Sequence, residues 1–188
     1  GGVRAENASV QIRRCAVMSS TADYGGAVYL EQSDAWLEDL VVVGNHGRTS
    51  GGGLYVRFSP AVVTASLIAT NTASWGGGIY AQWDGTRIVS NFFWSNTAFA
   101  SGGGLLVDEP GAIKLEGNTL VENIANDGGG VSLYDTDVTL VNTLIADNEA
   151  RSFGAAIYVY NSEPSFFHTT VARNRFADAL GGGAGVNV

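Results

Sequence analysis

Aspartates recur at one place in this 188-residue chain, in the turn that follows a short apolar stretch. Asp84, Asp108 and Asp135 occupy that place in three successive segments of similar length. Carboxylates that converge in a groove can bind calcium or serve as a general acid and base. Each segment supplies only one or two acids, and their neighbours differ, so we interpret them as a solvated acidic turn. A catalytic cluster of these three aspartates stays open as the alternative.

Aromatic residues form a second repeated set, on the outer side of the predicted strands. An alternating apolar pattern directs Tyr29, Tyr55, Tyr80 and Tyr158 outward in register, with Leu106 and Ser132 at the same place in the intervening segments. Trp75, Tyr24 and Phe153 each stand directly before a glycine run. Aromatic rows on a flat sheet face can stack on sugar rings or form the centre of a protein contact. We therefore predict a binding face of Tyr29, Tyr55, Tyr80, Tyr158 and Trp75, with the alternative that the tyrosines only stack on one another.

The remaining reactive side chains are few and scattered. His46 falls in a predicted exposed turn and His168 in an inward-pointing column, so we do not expect them to meet. The one cysteine, Cys15, falls in the same inward column and is expected to be buried. The sequence contains no Ser/His/Asp set, metal-ligand spacing or phosphate loop. It thus predicts neither a cofactor nor a metal, and it favours a non-enzymatic protein.

Glycine-rich runs divide the whole chain into repeats of 25 to 27 residues. The last small residue of each run is Gly2, Ala27, Gly53, Gly78, Gly104, Gly130, Ala156 or Gly183. A stretch of period two follows each run, and no 3.6-residue apolar stripe is present, so the unit is built of strands. A fixed period of this length indicates a solenoid. We predict one all-β domain over residues 1–188, a right-handed parallel β-helix of about seven turns with three short strands per turn.

Two polar columns are expected inside the corners of this β-helix. The first consists of Ser20, Asn45, Asn71, Asn96, Asn123, Asn148 and Asn174. The second lies five or six residues earlier and consists of Cys15, Asp39, Ser66, Asn91, Asn118, Asn142 and His168. Stacked amides can hydrogen-bond the amides above and below and satisfy backbone groups of the turns. Repetition in every turn favours a structural role over a catalytic one.

The charge and the ends of the chain restrict its partners. A net charge of −8, with scattered lysines and arginines, argues against nucleic acid as a partner. The sequence contains no apolar run of 18 residues, so we do not expect it to insert into a membrane. The chain opens and closes inside a repeat, so we expect either an excised part of a longer solenoid or a fibre subunit that self-associates through open β-helix ends.

Two of the repeated motifs resemble those of the chlamydial polymorphic outer-membrane proteins, whose repeats pair GGA[ILV] with FxxN. GGAV begins at Gly25 and FWSN spans residues 93–96, and other copies replace the alanine or the phenylalanine. The resemblance implies a bacterial extracellular or outer-surface β-solenoid, an adhesin, stalk or fibre subunit that contacts a glycan or a surface protein of a host or neighbouring cell. The architecture is also similar to that of polysaccharide lyases and glycoside hydrolases, so a carbohydrate-active enzyme is the alternative.

Overall fold

The computed structural model describes residues 1–83, 85–108, 113–177 and 185–187. Over these residues the chain winds into a right-handed parallel β-helix that contains strands and no helix. The strands form four parallel sheets, A to D, and one turn passes through them in that order. Six turns separate the first and seventh strands of sheet A, and one further turn, which the described residues cover in part, leads to the eighth. About seven turns were predicted.

The strands of the four sheets are short and regularly spaced. Sheet A contains β1 (Val3–Glu6), β5 (Val28–Glu31), β9 (Leu54–Arg57), β13 (Ile79–Gln82), β17 (Leu105–Asp108), β21 (Val131–Tyr134), β25 (Ile157–Tyr160) and β29 (Val186–Asn187). Sheet B contains β2 (Ser9–Arg13), β6 (Asp34–Glu38), β10 (Val62–Thr64), β14 (Arg87–Val89), β18 (Lys114–Glu116), β22 (Thr139–Val141) and β26 (Ser165–Phe167). Sheet C contains β3 (Ala16–Met18), β7 (Val41–Val43), β11 (Leu67–Ala69), β15 (Phe92–Trp94), β19 (Thr119–Val121), β23 (Leu144–Ala146) and β27 (Thr170–Ala172). Sheet D contains β4 (Thr21–Tyr24), β8 (His46–Ser50), β12 (Thr72–Trp75), β16 (Thr97–Ser101), β20 (Ile124–Asp127), β24 (Glu149–Phe153) and β28 (Arg175–Phe176).

The predicted β-helix is confirmed, but the prediction of three strands per turn is wrong. The additional sheet is D, whose strands join the asparagine corner to the next glycine run. These strands carry few large apolar residues; β8, for example, reads HGRTS. The sequence of β8 therefore lacks the apolar alternation that predicts a strand. Its backbone nevertheless pairs with the strands of the two neighbouring turns and forms a strand.

The core lies along the axis and is filled by the inward residues of sheets A, B and C. In sheet A, Val28 and Leu30 are fully buried on either side of the outward Tyr29. Successive turns pair in register, so Ile79 lies between Leu54 and Leu105. The strands of neighbouring turns are spaced by about 4.8 Å. Each turn thus buries its apolar residues against the turns before and after it.

The predicted asparagine ladder is confirmed at the corner between sheets C and D. The side-chain amide of Asn71 donates to Asn96 Oδ1 at 3.0 Å, and that of Asn96 donates to Asn123 Oδ1 at 3.0 Å. Each amide also donates to a backbone carbonyl of the preceding turn; Asn96, for example, bonds Ile68 O at 2.8 Å. The ladder from Asn45 to Asn174 therefore satisfies the corners of successive turns without contact with solvent over most of its length.

The second polar column is wrong at three positions. Asp39, Asn142 and His168 are exposed, and their φ angles of 53°, 49° and 50° place them in the left-handed region. A residue in this conformation turns the corner and directs its side chain outward, so the inward position falls to the following residue. Inward at these turns are Leu40, Thr143 and Thr169. Ser66, Asn91 and Asn118 occupy the inward column as expected.

The expected environments of Cys15 and His46 are also wrong. Cys15 is exposed, and its thiol donates to the carbonyl of Arg13 at 3.1 Å. It lies in the first turn, where a neighbouring turn covers it on one side alone. His46 begins strand β8 and is half-buried, with Nδ1 2.8 Å from Thr72 Oγ1 of the next turn. His168 is exposed on its corner, so the two histidines lie in different environments.

Candidate binding groove

A groove runs along the outside of the β-helix where sheet D meets sheet A. The glycine that opens each run turns this corner with positive φ, 69° at Gly102 and 61° at Gly128. A Cβ at Gly102 would lie 2.6 Å from Leu106 Cβ, and one at Gly128 would lie 2.1 Å from Ser132 Oγ. Leu106 and Ser132 are outward residues of sheet A, yet both are buried. The corner is therefore concave on its outer side, and glycine is required to form it.

Three columns of side chains define the groove. The floor is the outward column of sheet A and consists of Tyr29, Tyr55, Tyr80, Leu106, Ser132 and Tyr158. The wall on sheet D consists of Tyr24, Ser50, Trp75, Ser101, Asp127 and Phe153. The wall on sheet A consists of Glu31, Arg57, Gln82, Asp108, Tyr134 and Tyr160. Aromatic residues occur in all three columns.

Three of the tyrosines in the floor form a continuous stack. Tyr29 and Tyr55 have ring centroids 5.3 Å apart and planes 10° from parallel, and Tyr55 and Tyr80 are separated by 5.2 Å and 7°. Each of the three is less than 10% exposed. The stack places these residues outward and in register, as the alternation predicts, but their ring faces contact one another. The ring edges and hydroxyl groups are what the stack presents to the groove.

Burial governs the ionisation of these tyrosines. Desolvation, together with the hydrogen bond that its hydroxyl donates to the Glu31 carboxylate, raises the pKa of Tyr29 to about 12. Desolvation also raises the pKa of Tyr55 and of Tyr134. These phenols therefore stay neutral over the physiological range and act as hydrogen-bond donors.

A pocket of about 410 Å³ lies in the groove, and its lining extends along the β-helix from Tyr24 to Tyr134. Its aromatic lining consists of Tyr24, Tyr55, Trp75, Tyr80 and Tyr134, and its other lining residues are Thr49, Ser50, Leu106 and Asp108. Trp75 is 39% exposed and Tyr24 is 43% exposed, so these two rings present free surface to a ligand. A cavity of this volume suits a small molecule or a short segment of a polymer.

Tyr134 closes one end of this pocket. Its hydroxyl lies 2.8 Å from Ser101 Oγ, on the opposite wall of the groove. Its ring meets Trp75 edge to face, with centroids 6.4 Å apart and planes at 73°. The small Ser132 below it turns its hydroxyl back to the carbonyl of Asp127, at 2.9 Å. Tyr134 therefore crosses above the floor and separates the pocket from the next part of the groove.

Beyond Tyr134 lies a second aromatic group. Tyr158 is half-buried, with ring centroids 5.6 Å from Tyr134 and 6.1 Å from Phe153. Desolvation raises the pKa of the nearby Asp127, whose buried Oδ1 has no hydrogen-bond partner among the residues that the structure describes. The structure thus separates Tyr158 from the other tyrosines of the predicted binding face, because Leu106 and Ser132 interrupt the stack.

The three acidic candidates do not form a common site in the described residues. Asp84 lies outside them. Asp108 accepts the Tyr80 hydroxyl at 2.5 Å on the groove wall, whereas Asp135 is exposed at a corner and accepts from the Asn161 amide. Neither takes part in any ion pair found between described residues, and no group of three His, Cys, Asp or Glu suited to a metal occurs among them. Asp108 is therefore a polar member of the groove.

Sequence reasoning missed Tyr134 and Asp108 as members of the aromatic groove. Both lie two residues after an outward residue of the floor, so the alternation directs them to the same side. That signal was present in the sequence, but only the concave corner brings this column opposite Trp75 and Tyr24.

The family model described as "Periplasmic copper-binding protein (NosD)" matches residues 6–188 of the chain. No curated protein matches the chain. The parts of the chain that the structure describes include no helix long and apolar enough to cross a membrane.

Proposed function

The chain belongs to the NosD family, and on that premise we propose that it is an exported, non-enzymatic β-solenoid that binds a glycan in the aromatic groove. The family description names the periplasm, which supports a location on the outer side of the cytoplasmic membrane. Adhesion or a stalk role at the outer surface is the more specific form of this proposal. The chlamydial motif resemblance supports it, since those repeats occur in surface proteins.

The family description also names copper, and the side chains of this chain do not fit a copper site. Copper in proteins is bound by His, Cys and Met. Cys15 and Met18 are exposed in the first turn, His46 is hydrogen-bonded to Thr72, and His168 lies exposed on a corner. No suitable group of three His, Cys, Asp or Glu occurs among the described residues. We therefore assign no step to copper in this protein.

The observation that carries the glycan proposal is the exposed face of Trp75 above a polar-edged pocket. The apolar C–H face of a sugar ring packs on an aromatic ring, and its hydroxyl groups need donors and acceptors nearby. Thr49, Ser50 and the Asp108 carboxylate supply such groups in the lining. Asp108 is already fixed by the Tyr80 hydroxyl, so its carboxylate is held in position to orient a ligand.

The test is a binding measurement with one aromatic side chain removed. We expect the wild-type chain to bind one or more members of a glycan array, and Trp75→Ala to weaken that binding roughly tenfold or more, because a central aromatic contact is lost. Trp94→Ala is the matched control: Trp94 is 43% exposed on sheet C, outside the groove. Equal losses in the two variants, or no glycan bound by the wild type, would contradict the proposal.

A further inference from the structure

The lining of the groove pocket has an unusual chemical bias. Five of its nine residues are aromatic, one is a carboxylate and none is basic. Cations are attracted to the faces of aromatic rings, most strongly to tryptophan, and the attraction increases when the site is desolvated. We propose that the ligand of this groove carries an ammonium group, as an amino sugar does, held between the aromatic walls and the Asp108 carboxylate. This inference rests on the proposed function, which requires only that a glycan binds.

The ring geometry of the pocket suits a cation. Trp75 and Tyr134 meet at 73°, and Tyr24 is tilted by 57° to Tyr55 with centroids 5.2 Å apart. Trp75 and Tyr24 keep more than a third of their surface exposed beside the pocket, whereas the parallel Tyr29–Tyr55–Tyr80 stack leaves no face free along its length. The volume of about 410 Å³ leaves space for a sugar ring beside the ammonium group.

The charges around the pocket favour the same class of ligand. Asp108 lies in the lining, and the charges of both Asp127 and Asp108 contribute to the raised pKa of Tyr134, so two carboxylates lie near that ring. Arg57 on the groove wall lies 3.7 Å from the Glu31 carboxylate and over the ring of Phe58, and its charge and hydrogen bond to Tyr55 partly offset the effect of burial on the pKa of that phenol. The pocket lining itself contains the Asp108 carboxylate and, among the described residues, no basic side chain, which disfavours an anionic ligand.

The outer face of the tyrosine stack already contacts a cation. The guanidinium of Arg4 lies over the ring of Tyr29, 4.2 Å from its centroid, at the end of the stack remote from Tyr134. A free ring face at this end of the groove floor is thus covered by a cation. In the pocket, the free ring surface belongs to Trp75 and Tyr24.

The experiment compares two ligands that differ in one charge. Isothermal titration of the wild-type chain uses glucosamine oligosaccharides of two to four residues and their N-acetylated counterparts, at a pH where the amines are protonated. We expect the amine-bearing ligand to bind roughly tenfold more tightly, the ratio that corresponds to a partly desolvated cation–aromatic contact. Asp108→Asn keeps the shape of the side chain and an acceptor for Tyr80, and should reduce the ratio towards one. Glu122→Gln is the matched control, since Glu122 is bonded to Trp94 outside the groove.

The outcomes separate this inference from the proposed function. Equal affinity for the two oligosaccharides would overturn the ammonium inference and leave the glycan proposal standing. A preference for the amine that survives Asp108→Asn and is lost in Glu122→Gln would place the cation elsewhere and overturn the assigned pocket. Binding of neither class, together with an empty glycan array, would overturn the proposed function itself.

Discussion

Tyrosines of the groove floor pack against one another and also interact with charged side chains. Tyr29 is 9% exposed, stacks on Tyr55 and donates its hydroxyl to Glu31. A buried phenol next to a carboxylate is stable only while the phenol is neutral, since an ionised phenol would be both desolvated and repelled. The charge state of Tyr29 is therefore coupled to the packing of the stack, whereas Trp75 and Tyr24 provide the exposed contact surface.

This coupling predicts a loss of stability at alkaline pH. The pKa of Tyr29 is about 12 in the folded protein and about 10 in an unfolded chain. The stabilising effect is therefore fully present below pH 10 and is lost as the pH rises towards 12, because the unfolded chain releases its proton first. Thermal unfolding followed by circular dichroism between pH 8 and pH 12 should show a smaller alkaline loss in Tyr29→Phe than in the wild type. Tyr160→Phe, at an exposed tyrosine, should behave as the wild type, and a Tyr29→Phe profile equal to the wild type would contradict the coupling.

At the scale of single elements, the glycine corner determines whether the outer face is a flat surface or a groove. Period-two alternation predicted that Tyr55 and Tyr80 point outward, and their separation from the axial core confirms this direction. Alternation does not specify whether the surface they point to is convex or concave. That depends on the left-handed backbone at the corner glycines, so the burial of the tyrosines and the approach of Tyr134 to Trp75 were not predictable from the pattern.

The difference between side-chain pattern and backbone conformation also explains which elements could be predicted from the sequence. The asparagine ladder was predictable because one residue type recurs at one place with an apolar residue at a fixed offset. Sheet D and the shifted inward column were missed, because β8 lacks apolar alternation and because corner residues such as Asn142 and His168 resemble inward polar residues in type. Backbone conformation, rather than side-chain type, separates the inward residue from its neighbour.

Substitutions at two glycines separate the conformational and steric requirements of the corner. Gly44 has φ 65° and no atom within 4 Å of an added Cβ, so Gly44→Ala should cost about 1–2 kcal/mol of unfolding free energy through the left-handed backbone alone. Gly102 has a similar φ of 69°, and its added Cβ would meet Leu106. Gly102→Ala should therefore cost a further 1–3 kcal/mol, roughly, from overpacking. Urea unfolding measures both variants, and equal losses would show that the groove corner is not sterically closed.

At the scale of the whole molecule, the β-helix is a one-dimensional stack in which each turn contacts its neighbours. Stability in such proteins is close to a sum of terms for each repeat and for each interface between repeats. The asparagine ladder and the paired strands supply the interface terms here, since Asn96 bonds Asn71 on one side and Asn123 on the other. A change in one turn should therefore affect the adjacent turns most.

Removal of one ladder residue tests this description of the molecule. Asn96→Ala removes the side-chain oxygen that accepts from the backbone N–H and from the side-chain amide of Asn71. It also removes the amide that donates to the carbonyl of Ile68, and all of these groups lie in a buried corner. Each such group costs about 1–3 kcal/mol, so we expect a loss of about 3 kcal/mol or more in unfolding free energy.

Amide hydrogen exchange should lose protection in the turns of Asn71 and Asn123, while the turns of Ser20 and Asn174 keep theirs. Asn126→Ala, on sheet D outside the ladder, should leave exchange unchanged. A uniform loss of protection along the chain in Asn96→Ala would instead show that all turns unfold as a single cooperative unit.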